Sequence, residues 1–555
     1  MKKITNRIKE VIRDVQSNKM GNSKTLNAFH KQLRKEKIVP NGEKILFSHS
    51  FSIYEPSFIH DKIMSIALKM RGCEVFSAFC DGVQSIECNV YGGVWKDHTD
   101  FDSSCAHCQK CSSKLWSELD KKNIYKYSTY ITDEDNREVE NIMGKITEGG
   151  WVDYKDSSGW EIGLWAKDIL VNNYVVADKS LIYGHEELGR SHLKNLLVIK
   201  FAIKKIISKV KPTRIISNDS FYGMWKLWEL IAKENGIPFY SHWSGTRVGG
   251  WSYAYNDASM SLNFKPSWES YSKQELTPDE ESRVNQWLKD REGGRDMIID
   301  TASLSDYKDE YFDFSLIDKT KPTALLSSNV VWDLAALNKE VFTSSMGEWI
   351  IQTIRWFRDN PDYQLIIKSH PAEHYPEIPQ TIETVQSMLE KVFTLLPDNV
   401  IFISPKAAVS VYQLLPFASI GLVFTTSVGI EMAARGKSVI VAGKSHYRSY
   451  GFTCDPETLE EYFYNLEREL RVGISDNSDV EKLAKKFLKF NFFHYYTRHG
   501  LVSFDHSKDN NGRVNILIDS IEDLKPGHNE HLDYILDSIV KGAPILRSDR
   551  WIKES

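Results

Sequence analysis

Short apolar runs alternate along this chain with segments whose apolar residues recur every three or four positions. The first run covers 44–47. It is followed by a polar loop, Ser48-His49-Ser50, and by a helical pattern with Ile63, Ile66, Ala67 and Met70 on one face, closed at Gly72. A second strand pattern spans 74–79 and stops at Cys80-Asp81-Gly82. The unit repeats with a strand at 214–217 before Asn218-Asp219, a helix through 225–234 ended by Gly236, and a strand at 238–241. A later series has strand patterns at 324–327, 364–368, 400–403, 420–424 and 439–442, with helices at 348–357, 382–392, 409–416 and 428–435 between them. Strand–helix alternation of this kind implies parallel sheets.

A joint separates the two series. Thr277-Pro278-Asp279-Glu280 combines an N-cap, a proline in the first turn and a capping-box Glu. That helix is expected to end at Gly293-Gly294, and the polar stretch 296–321 reads as a linker. The expected fold class is α/β, with two Rossmann-like parallel-sheet domains facing a cleft, the GT-B-like architecture. The division is a basic N-terminal arm (1–40), a first Rossmann-like domain (41–295) with a Cys-rich insertion (73–111), the linker (296–321), a second Rossmann-like domain (322–478), and a helical extension (479–555).

Size and charge narrow the classes. A chain of 555 residues suits two to four domains, and 41% hydrophobic with 26% charged residues is globular in composition. The net charge of −5 argues against a nucleic-acid binder. Residues 1–40 differ, with eleven Lys/Arg against three Asp/Glu, so the remainder sums to −13. Ile4, Ile8, Val11, Ile12 and Val15 form one apolar stripe on a basic helix, expected to stop at Gly21. Such a helix either docks on its own domain or a second subunit, or lies on an anionic membrane surface. The first residues are too charged for a signal peptide. The uncharged stretch 407–430 is broken by Gln413, Pro416, Gly421 and Thr425-Thr426-Ser427, so it reads as helix end, strand and turn rather than a membrane span. A cytoplasmic protein is expected, with peripheral contact at the inner membrane left open, and with its cysteines as reduced thiols or metal ligands.

Ligands of open parallel sheets bind beyond the carboxyl ends of the strands. In the first domain the residues there are Ser48-His49, Asn218-Asp219 and His242; in the second they are Asn329 to Asp333, Ser369-His370-Pro371, Thr425 to Gly429 and the stretch that includes His446. The Thr425-Thr426-Ser427-Val428-Gly429 turn leads from an apolar strand into a helix that carries Glu431, a design that can hold a phosphate with Glu431 toward a ribose; an ordinary capped helix is the alternative. His370, held extended by Pro371, can donate to a phosphate oxygen. Neither GxGxxG nor GxxxxGK[ST] is present where a dinucleotide enzyme or P-loop NTPase requires it.

Lys368-Ser369-His370-Pro371-Ala372-Glu373, the run from Thr425 through Val439, and His446-Tyr447-Arg448-Ser449-Tyr450-Gly451-Phe452-Thr453 together resemble the capsule polysaccharide biosynthesis family. This family includes GT-B glycosyltransferases that use CMP-Kdo, similar to bacterial sialyltransferases with a His-Pro motif. The resemblance covers roughly 320–460 and is faint over the first domain. Two departures stand out: Asn329, where the family often has Gln, and Tyr450, where many members have Trp or Lys. The resemblance implies that Asp333 is the catalytic carboxylate, with Asp219 as the next choice, and that His370 binds the donor phosphate and assists departure of the nucleotide. It implies that Asn329, Ser369, Thr425, Thr426, Ser427, Gly429, Glu431 and His446 surround the nucleotide sugar, and that His49, Asp219 and His242 face the acceptor. It also implies no metal cofactor for catalysis. The partners implied are a nucleotide-sugar donor, a glycan or glycolipid acceptor, and the inner-membrane surface or other polysaccharide-assembly proteins.

Six of the seven cysteines fall between Cys73 and Cys111. Cys105, Cys108 and Cys111 form C-x2-C-x2-C, and with Cys88 or Cys80 they make a candidate structural zinc site; an iron–sulfur cluster and free reduced thiols are the alternatives. Two other functions stay open beside glycosyl transfer to a growing surface polysaccharide. One is a sugar-nucleotide epimerase, which needs no acceptor. The other is a non-catalytic nucleotide-binding scaffold.

Overall fold

The structure is a computed structural model that describes residues 19–48, 55–84, 105–106, 108–110, 121–174, 186–221, 223–244, 249–295, 310–333, 337–374, 381–473, 477–505 and 513–545. The first sheet contains β1 (Lys44–Phe47), β2 (Glu74–Phe79), β3 (Ile124–Lys126), β4 (Arg214–Asn218), β5 (Phe239–Ser244) and β6 (Trp251–Tyr255) in the order β3-β2-β1-β4-β5-β6. All its pairs are parallel except β5 with β6. The second sheet contains β7 (Thr323–Ser327), β8 (Gln364–Lys368), β9 (Val400–Ile403), β10 (Ile420–Val423) and β11 (Ser438–Val441) in the order β11-β10-β7-β8-β9, wholly parallel. Each sheet starts at its centre, adds two strands on one side, then crosses back to the other side. This is the Rossmann-like winding order, made twice. The chain is therefore an α/β protein with two Rossmann-like domains, as the alternating pattern implies.

Burial explains the composition of the strands. β7 and β8 are buried at every position because helices cover both faces, so they read as unbroken apolar runs, not alternating ones. The helix Pro278–Glu292 has the full capping box expected of Thr277 and Glu280. The uncharged stretch 407–430 resolves into the short helix Val411–Leu414, β10 and a turn. Among the described residues no helix is long and apolar enough to cross a membrane.

Several boundaries differ from expectation. Gly21 lies inside the helix Lys19–Leu33 rather than ending it, while the stripe from Ile4 to Val15 lies outside the described residues. That helix buries Leu26, Phe29 and Leu33 in the core of the first domain, where Asn22 Nδ2 donates to Val514 O at 2.7 Å. Residues Leu262 to Leu288 share a core with Val423, Ile430 and Val441 of the second domain. The passage between domains thus falls near residues 256–262, where Asn256 and Leu262 both take positive φ, and not at the polar stretch 296–321. Phe312 and Ile317, from the end of that stretch, are buried against the second domain. The extension after 478 is shared: Phe487, Phe490 and Phe492 pack on the second domain, whereas Leu501, Val502, Val514, Leu532 and Ile535 return to the first. That return contains β12 (Val502–Asp505) paired antiparallel with β13 (Arg513–Ile516), so it is not purely helical.

Candidate functional site

The loop after β7 braces the carboxyl edge of the second sheet. Ser328 Oγ accepts the N–H of His370 at 3.1 Å, tying this loop to the one after β8. Asn329 Oδ1 accepts the N–H of Thr425 at 3.1 Å, tying it to the loop after β10. The carbonyl of Lys339 accepts the N–H of Lys444 at 2.7 Å, tying it to the loop after β11. Four loops therefore meet where open α/β sheets take ligands.

His370 is half-buried at this meeting point. Its Nδ1 accepts the N–H of Ala372 at 3.1 Å, so the neutral ring carries its proton on Nε2. Burial, reinforced by Lys368, pushes its pKa down to about 4. At pH 7 the ring is thus a neutral N–H donor. Burial and the neighbouring Lys444 hold Lys339 below the usual lysine range. Burial and Lys339 push His446 down to about 3. In each case burial is the larger cause, and between Lys339, Lys444 and His446 mutual repulsion adds to it, which an anion beside Lys339 would relieve.

The Thr425–Gly429 turn is fixed from beneath by Tyr447, whose hydroxyl donates to Thr426 O at 2.6 Å. A Cβ at position 429 would overlap that hydroxyl, so only glycine fits. Ser427 stands at the N-cap of Val428–Ala433 without a capping bond from its side chain.

Several expected ligand contacts are corrected. Ser369 is buried and donates to Glu373 Oε2 at 2.6 Å, while Glu373 Oε1 accepts the N–H of Val385 at 3.1 Å, so both residues brace the loop. Asn329 is spent on Thr425 in the same way. Glu431 faces no ribose: it is fully buried, with Arg291 Nη2 at 3.1 Å and the Tyr412 hydroxyl at 2.5 Å. His446 lines a wall, its Nε2 3.3 Å from Asn491 Nδ2 and its ring edge-on to Phe264. His242 faces no acceptor: it is 1% exposed, with Nε2 2.5 Å from Asp61 Oδ1.

The remaining residues fall as follows. Asp219, just past β4, accepts the Ser259 hydroxyl at 2.9 Å and the Met260 N–H at 3.0 Å through Oδ1. Burial raises its pKa to about 6 against the pull of these bonds. Asp333 follows the buried Trp332, whose Nε1 donates to Thr381 Oγ1 at 2.8 Å, and the Asp333 carbonyl accepts the Leu337 N–H at 3.1 Å. Residues 334–336 lie outside the described residues, and the next helix described is Met346–Asp359. His49, Cys88 and Cys111 also lie outside them. Cys105 and Cys108 are partly buried; burial pushes Cys80 up to about 12, and the nearby Cys108 and Cys105 add to the rise.

The sheets meet edge to edge across residues that local pattern does not reveal. Lys339 Nζ lies 4.8 Å from the ring centre of Phe221, two positions after Asp219. Asn338 Nδ2 donates to Asp168 Oδ2 at 2.8 Å, and Lys167 Nζ donates to Asn338 Oδ1 at 3.2 Å. Asp168 and Lys167 belong to the helix Ile162–Tyr174 of the first domain. The positive φ of Asn338, 57°, marks a tight turn there, and Asn is among the few side chains that tolerate it.

Two Rossmann-like sheets with ligand-ready edges facing one another make this a GT-B-like protein. No protein-family model and no curated protein matches the chain. Among solved structures it is similar to a KpsC β-Kdo 2,4-transferase of Thermosulfurimonas dismutans, at 13% identity and TM-score 0.32, over 57% of this chain and 87% of that one. It is also similar to the UDP-GlcNAc 2-epimerase of Neisseria meningitidis bound to UDP-GlcNAc, at 13% identity and TM-score 0.21, over 80% and 98% of the two chains. A third is the UDP-GlcNAc 2-epimerase of Methanocaldococcus jannaschii in complex with UDP-GlcNAc and UDP, at 12% identity and TM-score 0.23, over 81% and 99%. The fold assignment rests on the two strand orders, not on these distant likenesses.

Proposed function

We propose that this chain is a nucleotide-sugar glycosyltransferase whose second domain holds the donor nucleotide and whose first domain presents the acceptor. The observation that carries the reading is the setting of His370: its Nδ1 is committed to the Ala372 N–H, which leaves a neutral Nε2–H as donor on the loop after β8, a loop tied to the one after β7 through Ser328. Departure of a nucleotide leaves negative charge on a phosphate oxygen. Donors fixed beforehand at that point stabilise the transition state without reorganisation. The anomeric carbon becomes positive in the same step, and a carboxylate beside it offsets that charge or attacks it. Asp333, on the loop after β7, serves that side. Asp219 lies two residues from the interdomain contact of Phe221, and its pKa near 6 suits a base that takes the proton of an acceptor hydroxyl. The family resemblance favours a CMP-linked ulosonic acid such as Kdo as donor, delivered to a surface polysaccharide or its lipid-linked precursor.

Calorimetric titration with CMP, UDP and GDP, followed by product analysis with and without glycan acceptors, tests the reading. One nucleotide should bind, and product should form only with acceptor. An isomerised sugar from donor alone would replace the reading by an epimerase, and binding without turnover by a scaffold. Asp333→Asn should keep nucleotide binding and lower transfer by orders of magnitude. Transfer at the wild-type rate would remove Asp333 from the chemistry.

A further inference from the structure

The helix Glu55–Met70 passes beneath the first sheet and places His60 and Asp61 opposite His242 of β5. All three are enclosed, at 2%, 2% and 1% exposure. One ligand atom from each lies within 4.8 Å of the others. Asp61 Oδ1 is 2.5 Å from His242 Nε2 and 3.7 Å from His60 Nδ1. A carboxylate taken this far from water needs positive charge and hydrogen bonds on its oxygens. The imidazoles around it do not use what they have: among the described residues His60 Nδ1 and His242 Nδ1 find no hydrogen-bond partner, and neither does Nε2 of the buried His499. The His499 ring centre lies 5.9 Å from that of His60, and Trp251 stacks on His60 at 4.2 Å. Buried imidazole nitrogens without partners, grouped around one carboxylate, are rare because each forfeits its hydration.

We propose that His60, Asp61 and His242 are the ligands of a buried divalent metal site, with zinc as its occupant and His499 beside the remaining position. Two imidazoles and a carboxylate are a zinc ligand set. Bonds of about 2.0–2.2 Å to a tetrahedral ion set ligand atoms about 3.3 Å apart, between the two separations found here, so small ring shifts admit the ion. The outer shell is in place. His60 Nε2 lies 2.6 Å from the Tyr253 hydroxyl, and donation through it leaves the Nδ1 lone pair toward Asp61. The site joins the helix Glu55–Met70, β5, β6 and the returning C-terminal segment. Being closed, it stabilises the first domain and takes no part in transfer.

Elemental analysis of the full chain after zinc loading and removal of excess metal tests this. Close to one equivalent is expected, falling to near zero in His60→Gln and unchanged in Cys108→Ser. A chelator should lower the melting temperature of the wild type and leave that of His60→Gln unmoved. Cobalt substitution of the wild type keeps the test decisive if the variants do not fold. Visible cobalt bands without thiolate charge transfer support nitrogen and oxygen ligation. Thiolate charge transfer, zinc retained in His60→Gln, or less than about a tenth of an equivalent in the loaded wild type would each overturn the proposal.

Discussion

At the carboxyl edge of the first sheet, polar side chains turn inward and pair with one another. Ser48 Oγ donates to Ser217 Oγ at 2.8 Å, Ser220 Oγ to Glu229 Oε2 at 2.6 Å, and His242 lies against Asp61. At the same edge of the second sheet, side chains instead hold backbone: Ser328 takes the His370 N–H and Asn329 the Thr425 N–H. The first arrangement pairs these polar groups with one another. The second fixes loops while leaving donors such as His370 Nε2–H for a ligand. One winding order thus carries two edges braced differently, the first mainly through these side-chain pairs and the second, at Ser328 and Asn329, through bonds from side chain to main chain.

Four substitutions probe this contrast, from the largest effect to the smallest. Arg291→Ala leaves Glu431 buried beneath the donor turn with only the more distant Arg435, at 4.0 Å, as its cation. About 3–5 kcal/mol of stability should be lost in urea unfolding, largely restored by adding Glu431→Gln. A stable Arg291→Ala protein with altered nucleotide affinity would instead mean that Glu431 exchanges Arg291 for the ligand. His370→Ala should weaken nucleotide binding by about 1.5–3 kcal/mol, roughly tenfold to hundredfold, with little change in melting. Because its pKa lies near 4, wild-type affinity should not follow His370 titration between about pH 6 and 8. An inflection in that range that vanishes in the variant would show that the imidazolium is the binding form.

Gly429→Ala drives a methyl into the Tyr447 hydroxyl and should cost about 1–3 kcal/mol. Tyr447→Phe in the same chain should relieve part of that loss; no relief would place the strain elsewhere in the turn. Asp219→Asn is the smallest effect and has the opposite sign. With a folded pKa of about 6, above the usual value of 3.8, the native state holds an extra proton between those values. The Asp219 contribution is therefore full below the lower value and lost as pH rises through the upper one. Asparagine keeps the acceptor oxygen for Ser259 and Met260 without the charge. The variant should be more stable than wild type at pH 8 by on the order of 1–2 kcal/mol, with a flatter pH profile. Destabilisation at pH 8 would mean that the carboxylate form is the one the fold is built around.

The parts of this fold that were legible in the sequence are those written locally. β2, β8 and β9 match their apolar runs residue for residue, and Thr277 with Glu280 marks a helix start because a capping box spans only four positions. Gly21 misled because a helix docked along its length tolerates glycine where an isolated one would fray. The polar run 296–321 resembled a boundary, yet Leu262, Val284 and Trp287 had already joined the second domain, on a stretch whose few apolar residues do not show which core they enter. β6 puts Trp251 and Tyr253 into the first domain's core, but as an antiparallel edge strand it is passed over by a search for parallel units. The site was legible in its loops but not in its partners. Arg291 meets Glu431 across 140 residues, and His60-Asp61 reads as the polar side of an ordinary helix until β5 is laid on it. Such pairs are set by which elements the topology stacks, and no window of sequence contains both members.

The pairing of Trp251 with Thr497 has a mechanical meaning. Trp251 N donates to Thr497 O at 2.9 Å and Thr497 N to Trp251 O at 2.8 Å, at the place where the chain leaving the first domain runs beside the chain coming back. The second domain is thus spliced into the first at two adjacent points instead of trailing from one. A single tether lets a body swing and spin. Two tethers laced together resist spinning and leave one easy motion, a swing about the line through both. Any relative motion of the domains that keeps both tethers is thereby biased toward that swing.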